Sequence, residues 1–441
     1  MVKQFARAAI LAKDGVPVAG SALLRAGMAA LSIAWVASLS PQDAGNFGLA
    51  MAIFASLSSL SMGLTVLAQV RFAGTKEKGL FSSDEGPDLV WAALLCGLFT
   101  TVLVCLAAIG ARTVVGETTR WPAVIDLLFH LATSYPAIYG SSVLAMNLIA
   151  TGKKSWILYA SVVVGGSLLA IVGIAKLLEF RVTATAIADT TVALSYLTLA
   201  IYAAVYGMRL LKPRFTKALM ALRGTKEFVL WPSLEQFAML GIMAAWQSAV
   251  AESAPDAFNA IAVAMGIFGL YRALVRGVSQ LGSMRMREQL NTSNLPAARR
   301  CVRDVAGAAV LSCMPLLLLG IWAQESLRTL LNWRGDVSLF GVVMTTLALS
   351  MAVDAVASVF ANVLQVLRKG RFVFFCDVGL SAGIALGLTL LLGLLGTGGS
   401  LVGLFALALY QCVACGLYVC VVAALLKANQ TASLAPTVRK A

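Results

Sequence analysis

Runs of apolar residues long enough to cross a membrane leave this chain few ways to fold. The first of them, GSALLRAGMAALSIAWVASL (residues 20–39), holds a single ionisable residue, Arg25. About 20 such residues span a hydrocarbon core of about 30 Å. On that criterion twelve spans are expected, near 19–40, 45–70, 88–110, 121–150, 156–178, 182–206, 228–251, 257–284, 302–323, 337–366, 372–395 and 400–426. Lipid offers the backbone no hydrogen-bond partners, so a chain that crosses it this often must do so as helices. Composition supports the reading: 60% of the residues are hydrophobic and 12% charged, against about 25% charged in a soluble domain. A soluble globular protein is excluded.

The net charge of +14 raises nucleic acid as a partner, and the placement of the basic residues removes it. With the N-terminus inside, 25 Lys and Arg fall in cytoplasmic segments and 6 on the opposite side, with Arg25, Arg272 and Arg276 inside spans. That bias is topological and puts both termini in the cytoplasm. The opening MVKQFARAAILAKDG lacks the long apolar core and cleavage site of a signal peptide. It is expected to form a short amphipathic cytoplasmic segment over residues 1–18. The eight cysteines lie in or beside apolar runs. Cys412 and Cys415 form a CxxC, but no second ligand pair accompanies them, so neither a metal nor another cofactor is expected.

The chain also repeats itself. The hairpin at 20–71 turns at SLSPQDAGNFG, and a second copy follows 214 residues later: Pro41 falls on Pro255, AMAIF (50–54) on AMGIF (264–268), and Arg71 on Arg285. A second repeat sets SVLAMNLIATGKK (142–154) on SVFANVLQVLRKG (358–370), an offset of 216. Both preserve span parity, so the two copies are parallel repeats related by an axis along the membrane normal. The basic stretch MRLLKPRFTKALMALRGTKE (208–227) separates six spans from six. The expected organisation is a lobe at 19–207, a cytoplasmic linker at 208–227, a lobe at 228–427 and a tail at 428–441.

LLRAGMAALSIAWVASLSPQDAGNFGLAMAIFASLSSLSMGL resembles the opening hairpin of bacterial Wzx-type polysaccharide and O-antigen flippases. These belong to the multidrug/oligosaccharidyl-lipid/polysaccharide (MOP) exporter superfamily, which includes the MATE transporters. The family pattern is a first span ending in a Leu-Gly-Pro-Glu-Asp-Tyr-Gly-like turn, and here it reads Leu39-Ser40-Pro41-Gln42-Asp43-Ala44-Gly45. AQESLRTLLNWRGD (323–336) and SVFANVLQVLRKGRF (358–372) are also similar to the family. Ala44 replaces the usual aromatic residue, and Arg334 stands before the glycine that follows LLNW. The resemblance implies an all-α polytopic fold of two six-helix bundles around a cavity lined by spans 1, 2, 7 and 8. It implies a transporter in the bacterial inner membrane, which moves an undecaprenyl-diphosphate-linked oligosaccharide without covalent chemistry. Membrane lipids, a polysaccharide polymerase and a chain-length regulator are the partners implied.

Ionisable groups inside spans cost about 2.5–3.5 kcal/mol each on insertion scales, so each one needs a reason to be there. Arg272 and Arg276 are four residues apart on one face of span 8, and Arg25 lies in span 1. Lining a cavity, the three would hold the diphosphate of a lipid carrier, to which a guanidinium can donate two hydrogen bonds; snorkelling to headgroups is the competing role. Glu235 in span 7 is placed to pair with Arg25 as a cytoplasmic gate. Asp126 and His130, also four apart, sit in span 4, and a carboxylate beside a histidine could carry a proton in a coupled cycle; a purely structural pair is the alternative. Asp189, Asp354 and Asp377 complete the intramembrane acids, the last two expected near the cytoplasmic interface. Pro136, Pro232 and Pro315 would each permit a bend. A cation-coupled multidrug antiporter would want a cavity rich in acids and aromatic residues. A polymerase or glycosyltransferase would need a large extramembrane loop, and no DxD or P-loop is present.

Overall fold

The computed structural model of the chain describes residues 13–18, 41–72, 85–114, 121–178, 183–207, 215–223, 225–253, 277–292, 294–322, 324–326, 337–394 and 401–434, with single positions at 10, 20, 21, 24, 28, 32, 261 and 275. Among these residues the only regular structure is helical. The chain divides into two compact units, Gly20–Phe237 and Met1–Ala19 with Ala238–Ala441.

In the first unit the helices are α1 (Pro41–Ser58), α2 (Met62–Phe72), α3 (Glu85–Val114), α4 (Trp121–Ala132), α5 (Tyr135–Ala150), α6 (Ser155–Leu177), α7 (Ala184–Tyr206) and the short α8 (Phe215–Ala221). A 3-10 turn, Ser59–Ser61, links α1 to α2. α9 (Lys226–Ser253) begins in this unit and ends in the other. The second unit contains α10 (Leu295–Trp322), α11 (Val337–Val366), α12 (Gly370–Leu380), α13 (Gly387–Leu394) and α14 (Val402–Leu434). Residues 277–291 are also helical.

Among the described residues, eight helices are long and apolar enough to cross a membrane. Their positions follow the hydropathy of the sequence closely, and Val337–Val366 has the expected ends. Two further expected spans are helical in a different form. The span at 121–150 is broken into α4 and α5, and α10 carries Arg299, Arg300 and Arg303 in its first turns ahead of its apolar part. Most of the expected spans at 19–40 and 257–284, with the turn of the hairpin's second copy, lies outside the described residues. The large apolar residues on the outer face of α3, Leu98, Phe99, Val102, Leu103, Leu106 and Ile109, are all exposed in the protein alone. A stripe of that kind is paid for by lipid, not water.

Close packing inside the first unit depends on glycine. A Cβ on Gly97 of α3 would stand 2.6 Å from the Pro136 Cα, and one on Gly63 of α2 would clash with the Val229 carbonyl oxygen. α2 therefore lies directly on the first turns of α9. There the Ser233 hydroxyl donates to the Leu60 carbonyl at 2.6 Å and accepts from Gly63 N at 3.2 Å. Residues 13–18 are helical and pack on residues 277–291: Gly15 lies against Val278, and the Arg285 guanidinium donates to Asp14 at 2.6 Å.

The internal repeat at offset 216 is reproduced in the backbone. α5 ends with Thr151 N donating to the Asn147 carbonyl and Gly152 N donating to that of Ile149. At the equivalent positions Leu367 N donates to Val363 and Arg368 N to Gln365. Gly152 takes φ 76° and Arg368 takes φ 64°, the only non-glycine residue with positive φ among those described. The second copy thus keeps a left-handed helix end that glycine adopts at no steric cost and arginine does not.

Candidate functional site

The first cluster forms where span 4 breaks. Pro136 has no N–H, so the Ala132 carbonyl four residues earlier cannot receive its helical hydrogen bond. The Thr101 hydroxyl of α3 supplies a replacement at 2.7 Å. Thr133 and Ser134 turn their hydroxyls back onto the carbonyls of His130 and Leu131, at 2.8 and 2.7 Å. The Thr133 carbonyl takes the Tyr196 hydroxyl of α7 at 2.9 Å. A break that would leave bare carbonyls in lipid is thus satisfied from the helices on either side. Pro232 and Pro315, by contrast, lie inside single helices that continue past them.

The Ala132 carbonyl supports a test. Thr101→Val should lower the thermal unfolding midpoint of the purified protein, because an unsatisfied buried carbonyl costs about 1–3 kcal/mol. Thr198→Val should change it little, since that hydroxyl donates only to the Leu194 carbonyl of its own helix. Equal midpoints for the two variants would remove Thr101 from this role.

Two polar side-chain pairs flank the break. His130 Nδ1 lies 2.7 Å from Asp189 Oδ1, and Arg112 donates to Asp126 Oδ1 at 2.9 Å. The expected juxtaposition of Asp126 and His130 therefore gives way to two inter-helix pairs: Asp126 turns to α3 and His130 to α7. Spacing by four residues permits a contact along one helix, but partners offered by neighbouring helices take its place here. With Asp189 as the acceptor, Nδ1 carries the proton, an assignment made from the hydrogen-bond network. His130 lies about 13 Å along α4 from Trp121, and Asp189 about 8 Å along α7 from Ala184. His130 is half-buried and Asp189 exposed, with 40% and 61% of their side-chain surface accessible. Asp189 and Tyr196, seven residues apart on α7, together hold both sides of the break.

The second cluster is in the other unit. Asp377 of α12 is buried, and its Oδ1 accepts from the hydroxyls of Tyr418 at 2.5 Å and Tyr410 at 3.2 Å, both on α14. It lies about 11 Å along the helix from Gly370. Four residues later the helix widens into a π turn, Ser381–Leu386, a feature often found at functional sites. Asp354 lies about 18 Å along α11 from Val366 at its end.

Glu235 of α9 is buried at 4% exposure and accepts from Gln236 Nε2 at 3.0 Å. Arg25, Arg272 and Arg276 lie outside the described residues, and so does any pair between Arg25 and Glu235. Sequence reasoning missed Thr101, Tyr196, Tyr410 and Tyr418. Each is one of many span hydroxyls, and nothing in its own helix marks it as a donor to a distant carboxylate or carbonyl.

The fold these helices build is that of the MATE-type transporters of the MOP superfamily, and the chain is an all-α, multi-pass membrane protein. A MOP superfamily transporter from Pyrococcus furiosus, described as having a binding pocket of reverse polarity that suggests a different function, superposes with a TM-score of 0.81 at 14% identity, over 95% of this chain and 97% of that one. A MATE transporter in the straight conformation gives 0.84 at 14% identity, over 96% and 97%. An outward-facing multidrug resistance MATE transporter gives 0.81 at 15% identity, over 97% and 96%. No family model matches the sequence, and no curated protein does.

Proposed function

We propose that this protein is an inner-membrane flippase, with both termini cytoplasmic, that moves an undecaprenyl-diphosphate-linked oligosaccharide across the bilayer by alternating access. The observation that carries the reading is the polarity of the intraspan charges. The sequence sets arginines at 25, 272 and 276 in spans 1 and 8, while Asp126, Asp189 and Asp377 are each engaged by a donor of a neighbouring helix. A carrier for organic cations would need carboxylates facing its substrate; this chain commits three of its acids to partners of its own. The guanidinium groups of Arg25, Arg272 and Arg276 would hold the diphosphate, and Glu235 would gate the cytoplasmic side. The Pyrococcus protein, whose pocket of reverse polarity is described as suggesting a different function, supports the idea that this one fold can serve different functions.

A second reading, a cation-coupled multidrug antiporter, is favoured by the fold shared with MATE transporters and by the His130–Asp189 pair. One deletion strain separates the two. The flippase reading expects undecaprenyl-linked oligosaccharide to accumulate on the cytoplasmic leaflet, with unchanged retention of cationic dyes. Dye retention without lipid-linked sugar accumulation would establish the antiporter.

A further inference from the structure

We infer that the cytoplasmic end of the first unit holds a binding site for one anionic glycerophospholipid headgroup, in a cavity between α2, α3 and α8. The inference stands apart from the transported substrate. The cavity has a volume of about 250 Å³ and is lined by Arg71, Asp88, Leu89, Lys217, Met220 and Ala221. Its position follows from how α8 is held. α8 buries Ala218 and sets Phe215 edge-on to Trp91 of α3, ring centroids 6.1 Å apart. That docking brings Lys217 to the same opening as Arg71, which stands in the last turn of α2.

The lining matches a headgroup better than a bare anion. Arg71 and Lys217 supply two cations for a phosphodiester. Asp88, buried at 8% exposure, adds a carboxylate that would repel phosphate alone but can accept from a glycerol hydroxyl of the headgroup. Two cations and one carboxylate leave the lining with a net charge of +1, which one phosphodiester neutralises. The surroundings suit acyl chains. Leu219 and Met220 are 64% and 68% exposed, and Met220 itself forms part of the wall. The exposed stripe of α3 begins at Leu98, about 15 Å along the helix from Asp88. A headgroup in the cavity would let its chains run along Phe99, Leu103 and Leu106.

The experiment is native mass spectrometry of the full chain released from detergent with equimolar phosphatidylglycerol and phosphatidylcholine. The wild-type protein should retain one phosphatidylglycerol in preference to phosphatidylcholine by about tenfold, as expected for two cations at an anionic headgroup. Arg71→Gln/Lys217→Gln should abolish the preference, and Lys427→Gln, in the other unit, should keep it. Should the double variant fail to fold, Lys217→Gln alone, at an exposed position, should still reduce the preference severalfold. Equal retention of the two lipids by the wild type, or an undiminished preference in the variants, overturns the site. Loss of the retained lipid on adding millimolar inorganic phosphate would also overturn it, by making the cavity a free-anion site.

Discussion

Arg25→Ala/Arg272→Ala, expressed in the membrane at the wild-type level, is expected to reduce export of the lipid-linked oligosaccharide by about a hundredfold or more. Hydrogen bonds to charged groups contribute about 1.5–3 kcal/mol each, and the two guanidinium groups together would hold most of the diphosphate. Arg25→Lys/Arg272→Lys should recover part of the loss, since lysine keeps the charge but not the planar fork. The measurement is the leaflet distribution of undecaprenyl-linked oligosaccharide, read beside a quantified membrane level of each variant. Normal export by the double alanine variant would end the diphosphate role of these residues, whatever else the protein carries. The two arginines are not equivalents in the repeat: at offset 214, Met239 corresponds to Arg25 and Ser58 to Arg272. The duplication accounts for the scaffold and not for these charges.

Tyr410→Phe/Tyr418→Phe is the substitution expected to cost the second unit most. Both hydroxyls donate to Asp377 Oδ1, and Tyr418 lies 1% exposed and Asp377 9% exposed. Removing both leaves a buried carboxylate without these donors, a loss of about 1.5–3 kcal/mol for each charged hydrogen bond. The thermal midpoint of the purified protein should fall by several degrees. Adding Asp377→Asn to the double variant should restore part of it, because a neutral amide costs less to bury than a carboxylate. A double variant as stable as the wild type would show that the hydroxyls do not hold Asp377.

Some features of the fold were legible because they depend on short stretches of chain. Val337–Val366 follows from hydropathy alone, and Pro136 marked a place where span 4 could bend, since its missing N–H acts on a carbonyl four residues away in the same helix; that this proline breaks its helix while Pro232 and Pro315 do not was not legible. The repeat of 142–154 at 358–370 was legible as a spacing, and the structure extends it to the two left-handed residues, Gly152 and Arg368. The local pattern did not reveal that Arg368 would keep a glycine's conformation.

Partner choice was not legible. His130 had a carboxylate four residues away in Asp126, yet it reaches Asp189, 59 residues along the chain, while Asp126 reaches Arg112. Asp377 had Arg368 and Arg371 nearby in sequence, yet tyrosines 33 and 41 residues on donate to it. The reason is geometric. Hydropathy summed over about 20 residues decides where a helix crosses, and neither it nor the spacing of charges decides how that helix is rotated against its neighbours. The sequence by itself determined the all-helical, membrane-spanning class of the protein, the positions of most described spans and the internal repeat. Only the tertiary structure decided which hydroxyl closes the gap at Ala132 and which donor meets each of these acids, because those pairings exist only once helix faces distant in sequence are packed together.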